Sequence, residues 1–249
     1  LVRNDFREIY AYAKEKGFVV SIFSNGFAFT DSLIKFLVKS PPEAIEITLN
    51  GITNPTYEAV TQKKRALPVV LRAIKKLKKK GINLLVKANC LSVNKHEIGL
   101  IKQWTERLLG APATNRYHFH YDRIIYPRLN KDMSSCRYRL GPDEFVQLGL
   151  LDEDIARECR ENILEKMPRL PRQRKYLYQC DSWTKQFFIN PYGRLRFCSF
   201  TDEYSVDLRT TSFHEGFYRV FPKLMKECFK TASACQDCSV RSVCAPCPA

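Results

Sequence analysis

Helical and strand patterns alternate through the first 126 residues, and this alternation limits the fold more than any other feature. Strand patterns, either short apolar runs or alternating apolar and polar residues, cover 18–23, 44–49, 82–90 and 117–126. Helical periodicity covers 6–16, 31–40, 67–80 and 98–109, and Gly17, Gly81 and Gly110 follow three of these segments. Strands joined by helical crossovers run parallel, so the pattern predicts an α/β fold with a parallel sheet.

Several predicted strands carry a polar face as well as an apolar one. The polar residues at alternate positions are Glu46, Thr48 and Asn50, then Lys87 and Asn89, then His118, His120 and Asp122. Parallel strands covered on both faces are nearly all apolar, and buried polar groups need hydrogen-bond partners. We therefore predict an open lumen that holds a polar small molecule near the C-terminal strand ends. The alternative is a polar sheet face that contacts water.

Charge and hydropathy exclude some classes of protein and leave others open. The net charge is +15, which suits an acidic partner, nucleic acid included. The basic runs 75–80 and 169–175 fall at a helix end and in a linker, where a solvated face is the better interpretation. No apolar run approaches the ~20 residues of a membrane span, and no secretion signal opens the chain. We expect a cytoplasmic protein without a membrane partner.

The pattern changes near residue 141, which predicts further domains. A helical stretch covers about 141–166, and a Pro- and Arg-rich connection follows at 167–175. Beyond it lie a turn signal at 190–193 and all six cysteines that have the spacing of metal ligands. We predict an α/β domain over 1–140, a helical connection and linker over 141–175, and a small cysteine-rich domain over 176–249.

Six of the ten cysteines have the spacing of metal or cluster ligands. Cys235, Cys238, Cys244 and Cys247 form two Cys-x2-Cys pairs, while Cys180 and Cys198 bracket Gly193. A structural zinc site would need only the last four and would leave Cys180 and Cys198 without a role. We interpret the remaining cysteines as buried or incidental thiols: Cys90, Cys136, Cys159 and Cys228.

The ordered set of motifs resembles one known family. Cys-x12-Gly-x4-Cys followed by Cys-x2-Cys-x5-Cys-x2-Cys resembles the SPASM domain that follows a radical S-adenosylmethionine (SAM) core. Residues 24–26, Ser-Asn-Gly, and residues 48–51, Thr-Leu-Asn-Gly, are similar to strand ends of that core. The resemblance covers essentially the whole chain. It implies a partial (β/α)6 radical SAM barrel, of which only the later strands are present, followed by a SPASM domain.

The chain departs from the family pattern at two places. The Cys-x3-Cys-x2-Cys triad that binds the SAM-cleaving 4Fe-4S cluster is absent. Leu1 corresponds to a position just after the part of the family sequence that carries this triad. A further cysteine usually follows the position of Cys247. From the resemblance we expect a fragment that lacks sequence at both ends and is inactive alone.

The resemblance also implies ligands for the cofactors. One auxiliary 4Fe-4S cluster would take Cys180, Cys198 and Cys247, and a second would take Cys235, Cys238 and Cys244. Near the amino-acid end of SAM we expect Ser24, Asn25 and Gly26. Facing its ribose or carboxylate we expect Asn50, Lys87 and Asn89. No catalytic residue is assigned.

The implied function is that of a radical SAM enzyme, an oxidoreductase that generates a 5′-deoxyadenosyl radical to modify a ribosomally made peptide or protein. A reductant such as a flavodoxin or ferredoxin would supply electrons. Ser199 stands where the sulfatase-maturing branch usually has Asp, which argues against that branch. Two alternatives stay open at this stage: a basic nucleic-acid-binding protein with a zinc ribbon, and a non-catalytic scaffold.

Overall fold

The structure, a computed structural model, describes residues 1–110, 118–128, 132–151, 155–157, 159–161, 176, 178, 184–199 and 204–228. The chain divides into two compact units. The first comprises residues 1–125 and 134–142, and the second comprises residues 126–133 and 143–249. No helix in the described ranges is long and apolar enough to cross a membrane.

A parallel sheet of four strands forms the centre of the first unit. The strands are β1 (Ser21–Ser24), β2 (Ala44–Thr48), β3 (Leu84–Asn89) and β4 (Phe119–Asp122). Their spatial order is β1-β2-β3-β4, the same as their order in the chain, and every neighbouring pair is parallel. The predicted α/β fold with a parallel sheet is therefore confirmed.

Helices connect these strands and bury the apolar face of the sheet. They are α1 (Phe6–Glu15), α2 (Asp31–Lys39), α3 (Asn54–Thr61), α4 (Leu67–Lys79) and α5 (Ile98–Leu109), the last preceded by a 3-10 turn at Lys95–Glu97. Ile45 and Ile47 of β2 and Ile74 of α4 are wholly buried. Burial of such side chains contributes about 1.5–3 kcal/mol each, which fixes the face on which the helices pack.

The second unit contains a small antiparallel sheet and a helical segment. Its described elements are α6 (Pro142–Leu151, with Pro142 in the first unit), β5 (Phe188–Ile189), β6 (Arg194–Arg196), β7 (Val206–Asp207), α7 (Phe213–Glu215) and α8 (Phe221–Leu224). A π-helical stretch, Gly216–Val220, joins α7 to α8. Leu195, Phe197, Phe221 and Leu224 form its buried cluster.

The turn signal at 190–193 produces the predicted hairpin between β5 and β6. The Oδ1 atom of Asn190 accepts hydrogen bonds from the amides of Tyr192 and Arg194, at 2.9 and 3.0 Å. Gly193 has a φ of +75°, which residues other than glycine rarely adopt. This hairpin carries Cys198 just beyond the end of β6.

Candidate functional site at the carboxyl edge of the parallel sheet

The polar residues predicted from the alternating pattern lie on one face of the sheet and in register. Glu46 pairs with Leu85, Thr48 with Lys87, and Lys87 with His120. Asn89 pairs with Asp122 at the end of the same strands. The alternate positions Ile45, Ile47 and Val86 point to the other face, where the helices pack, so the apolar and polar sides are separated as predicted.

Contacts to carboxylates link strands across this polar face, between the neighbours β3 and β4 and, through His120, between β4 and β2. The Nζ atom of Lys87 lies 2.6 Å from the Oδ2 atom of Asp122, which joins β3 to β4. The Nε2 atom of His120 lies 3.5 Å from the Oε2 atom of Glu46, whose side chain is only 12% exposed. Lys87 is therefore already paired with a carboxylate, while Asp122 remains half-exposed on the same face.

Asn94 joins the ends of two strands through its buried amide. Its Nδ2 atom donates to the carbonyl oxygens of Asn50 and Asn89, each at 2.9 Å, and its Oδ1 atom accepts from the amide of Leu91 at 2.7 Å. Asn94 is fully buried. The Oδ1 atom of Asn50 accepts a hydrogen bond from the amide of Asn89 at 2.8 Å. The loops after β2 and β3 are therefore joined both by the Asn94 side chain and by this direct bond.

Glu97 fixes the loop between β2 and α3. Its carboxylate accepts hydrogen bonds from the amides of Ile52 and Thr53, at 2.6 and 3.2 Å, and from the Thr53 hydroxyl. Only 3% of Glu97 is exposed. Burial raises the pKa of this carboxyl group, but the hydrogen bonds from Thr53 and Ile52 outweigh it and hold the pKa below its ordinary value.

Two glycines at this edge lie where a side chain would not fit. A Cβ on Gly51 would lie 2.7 Å from the backbone nitrogen of Tyr57. Gly26 has a φ of +77°, and a Cβ there would lie 2.8 Å from Val70 Cγ1 and 3.0 Å from Ile47 Cγ2. The loop at Gly51 therefore packs tightly against α3, and the loop at Gly26 against α4 and β2.

The loop at 24–26 is held by its own side chains. The Ser24 hydroxyl accepts from the amide of Gly26, and the Oδ1 atom of Asn25 accepts from the amide of Phe27, each at 3.1 Å. Ser24 is half-buried, Asn25 is exposed and Gly26 is buried. All three lie at the carboxyl end of β1, on the same edge as the ends of β2 and β3.

The residues predicted to bind SAM thus lie at the carboxyl ends of three neighbouring strands of one sheet. Asn50, Lys87 and Asn89 belong to the loop after β2 and to β3. Ligands of open parallel sheets bind at this edge. The sequence analysis missed Asn94 and Glu97. Their signal was Asn-x-x-Glu before an apolar run, which resembles a helix capping box.

Of the six predicted cluster ligands, the described residues include only Cys198. It is half-buried and packs against the Leu195–Phe197–Phe221–Leu224 cluster. Cys180, Cys235, Cys238, Cys244 and Cys247 lie outside the described residues. Within the described part of the chain, no group of three or more Cys, His, Asp or Glu side chains is arranged to hold a metal ion.

Comparison with known proteins identifies the class that this fold resembles. No family profile matches the chain. The sequence and fold similarities nevertheless agree on radical SAM proteins of the SPASM type, which confirms the resemblance stated from the motifs.

The individual similarities are distant but cover most of the chain. The chain is 22% identical over 222 residues to the antilisterial bacteriocin subtilosin biosynthesis protein AlbA of Bacillus subtilis (strain 168). The match takes 88% of this chain and 46% of AlbA, so the chain spans about half the length of that relative.

Solved structures of anSMEcpe share the fold. One holds bound AdoMet and the Kp18Cys peptide, with a TM-score of 0.65 at 15% identity over 96% of this chain and 70% of that one. A second, of a hexahistidine-tagged form with bound AdoMet, has a TM-score of 0.65 at 16% identity, covering 96% and 66%. Neither the relative nor these structures favour the zinc-ribbon nucleic-acid protein.

Proposed function

We propose that this chain is part of a radical SAM enzyme of the SPASM type that modifies a peptide or protein. The observation that carries the proposal is the polar, in-register face of the parallel sheet. This polar face reaches the carboxyl edge of the sheet. The fold is shared with a protein whose structure holds AdoMet and a peptide. The four strands would be the later strands of a partial (β/α)6 barrel.

The donor set at the sheet edge suits a polar ligand with an amino acid and a nucleoside part. Asn89 and Asn50 are half-buried, and Asp122 is half-exposed at the same edge. The ion pair with Asp122 holds the Lys87 ammonium in place on the polar face. Ser24, Asn25 and Gly26 would border the amino-acid end, and Asn50, Lys87 and Asn89 the ribose or carboxylate.

The chain's own residues would position this ligand rather than react with it. Asn94 and Glu97 hold the loops after β2 and β3, so the polar edge keeps one shape before a ligand arrives. Such preorganisation lowers the entropy lost on binding. When bound and reduced, the SAM-cleaving cluster of this family would supply the electron that splits SAM into methionine and a 5′-deoxyadenosyl radical, which abstracts hydrogen from the substrate.

The proposed auxiliary clusters would be held by two sets of cysteines. Cys180, Cys198 and Cys247 would hold one, and Cys235, Cys238 and Cys244 the other. The position of Cys198 beside an apolar cluster fits such a role, because low solvent exposure helps to tune a cluster's potential. A flavodoxin or ferredoxin as reductant and a cytoplasmic location remain part of the proposal.

Iron analysis tests this proposal. The full chain, reconstituted without oxygen in the presence of iron, sulfide and zinc, should retain iron and sulfide and absorb visible light as iron–thiolate centres do. Cys198→Ala should lower iron per chain, while Cys159→Ala, at an exposed cysteine without ligand spacing, should leave it unchanged. Retention of zinc alone, insensitive to Cys198→Ala, would reject the proposal in favour of a zinc ribbon.

A further inference from the structure

A groove runs along α4 in the first unit and shares the loop at residues 52–54 with the carboxyl edge described above. Its volume is about 700 Å³, and the loop before α3 forms its other wall. One part is apolar and is lined by Ile52, Leu67 and Leu71. The other part is cationic and is lined by Arg72, Lys75 and Lys79. Because α4 packs on the apolar face of the sheet, the groove is separate from the polar face.

The apolar and cationic parts follow each other along the helix. Leu67 and Leu71 lie in the first half of α4, Arg72 follows directly, and Lys75 and Lys79 lie in the second half. The spacing of 72, 75 and 79 repeats at three and four residues, so these cations share one helix face. From Leu71 to Lys79 the helix rises about 12 Å, which is the length of about four extended residues.

Three of the four cations that line the groove have no ion pair in the described part of the chain. Lys76 pairs with Asp31 at 2.8 Å, but no ion pair involves Arg72, Lys75 or Lys79. All three are exposed. The sequence from 59 to 82 contains no Asp or Glu, so the groove carries uncompensated positive charge. Such charge attracts an anionic partner and fixes its register.

The end of the groove near Ile52 and Leu67, away from the cations, disfavours an anion. The Glu97 carboxylate already accepts the amides of Ile52 and Thr53 at that end, and a second carboxylate there would be repelled. An occupant must therefore be apolar at the Leu67 end and acidic at the Lys79 end. Its charge must be carried by side chains rather than spread evenly along its backbone.

We propose that this groove binds an extended peptide segment with apolar residues followed or preceded by acidic residues. The apolar side chains pack against Pro68 and Leu71, which are more exposed than Leu67, and the carboxylates pair with Arg72, Lys75 and Lys79. Nucleic acid fits less well, since none of the residues that line the groove is aromatic and its uniform phosphate charge would cross the apolar half. The proposal does not depend on SAM chemistry.

Fluorescence anisotropy of the full chain with a synthetic peptide tests it. The probe is Leu-Ile-Leu-Ser-Glu-Asp-Glu carrying a neutral dye, at physiological ionic strength. The double variant Lys75→Glu/Lys79→Glu should weaken binding about tenfold, since two attractions become repulsions. The matched control is Lys78→Glu/Lys80→Glu, which changes exposed lysines of the same helix region that do not line the groove. Each double variant lowers the net charge from +15 to +11.

The expected result for the control pair is a change of less than about twofold. A second peptide of the same composition, with apolar and acidic residues alternating, should bind more weakly than the probe. Equal weakening by the two variant pairs would overturn the proposal, because it would show attraction by net charge alone. Absence of peptide binding would overturn it as well. The proposal would also be overturned if a single-stranded DNA oligonucleotide displaced the peptide and bound the Lys75→Glu/Lys79→Glu variant more weakly than the wild type.

Discussion

A single buried amide, that of Asn94, makes three hydrogen bonds at the carboxyl edge of the sheet. Asn94→Ala would leave two carbonyls and one amide without their partner in a buried place. We expect the free energy of unfolding to fall by about 2–3 kcal/mol in urea denaturation. Asn83→Ala is the control, since Asn83 also donates to a carbonyl, that of Glu43, but is exposed. That change should cost less than about 0.5 kcal/mol. Similar costs for both would refute the role given to Asn94.

The carboxyl group of Glu97 makes stability depend on pH in acid. Its pKa in the folded chain lies below the ordinary value of 4.5, so the unfolded chain takes up the proton first as the pH falls. The stabilisation is fully present above pH 4.5 and is lost as the pH falls through the lower folded pKa. We therefore expect the stability advantage of the wild type over Glu97→Gln to shrink on acidification from pH 7. Urea titrations of both proteins measure it, and a difference independent of pH would contradict the expectation.

The polar face could be predicted from sequence, whereas the residues that hold it could not. Glu46, Lys87 and His120 alternate with apolar residues, and a period of two assigns them to one face whatever the tertiary contacts are. Asn94 and Glu97 have partners about 44 residues earlier in the chain. Their spacing has a local explanation as a capping box, and no periodic pattern indicates a contact so distant in sequence.

The ends of helices and strands are also predicted only in part from the sequence. The strand predicted at 18–23 is observed at Ser21–Ser24, and that predicted at 82–90 at Leu84–Asn89. Apolar residues continue past the hydrogen-bonded ladder, so hydropathy alone overstates strand length. Asparagine is a favoured N-cap residue, yet Asn4 does not cap the first helix. The helix begins at Phe6 after Asp5, whose carboxylate is held by Arg3 at 2.6 Å.

The turn after β1 depends on the absence of a side chain at Gly26. Gly26→Ala combines a positive φ with overlap against Val70 and Ile47, and it should lower the free energy of unfolding by about 2–4 kcal/mol. Gly81→Ala separates the two effects. Gly81 has a similar φ of +74° but no heavy atom within 4 Å of a Cβ, so only strain of about 1 kcal/mol applies. Equal losses in urea denaturation would show that packing at Gly26 is unimportant.

For the whole chain, the change of sequence pattern near residue 141 is the basis of the predicted domain division. The boundaries proposed at 140 and 175 remain predictions, and so do the cysteine ligand sets. Only Cys198 among those ligands lies in the described residues. Spacing identifies cysteines that can reach one metal centre, but their pairing into clusters depends on a tertiary arrangement that spacing does not define.

The 249 residues should not cleave SAM by themselves. None of the ten cysteines has Cys-x3-Cys-x2-Cys spacing, the arrangement that binds the SAM-cleaving cluster in the family that the chain resembles. After anaerobic reconstitution with iron and sulfide, dithionite and SAM should yield no 5′-deoxyadenosine above a protein-free control. A radical SAM enzyme that carries the triad serves as the positive control. Turnover by this chain would show that another set of cysteines binds the catalytic cluster.

The order β1-β2-β3-β4 means that each strand pairs with the one synthesised before it. Among the four described strands, none has to wait for a distant segment or insert between two others. The first unit can therefore assemble one strand and one helix at a time while the ribosome is still extending the chain. Ribosome-bound chains in which residues up to Leu109 have left the exit tunnel should already resist proteolysis across β1, β2 and β3. Full sensitivity at that length would show that β4 is needed first.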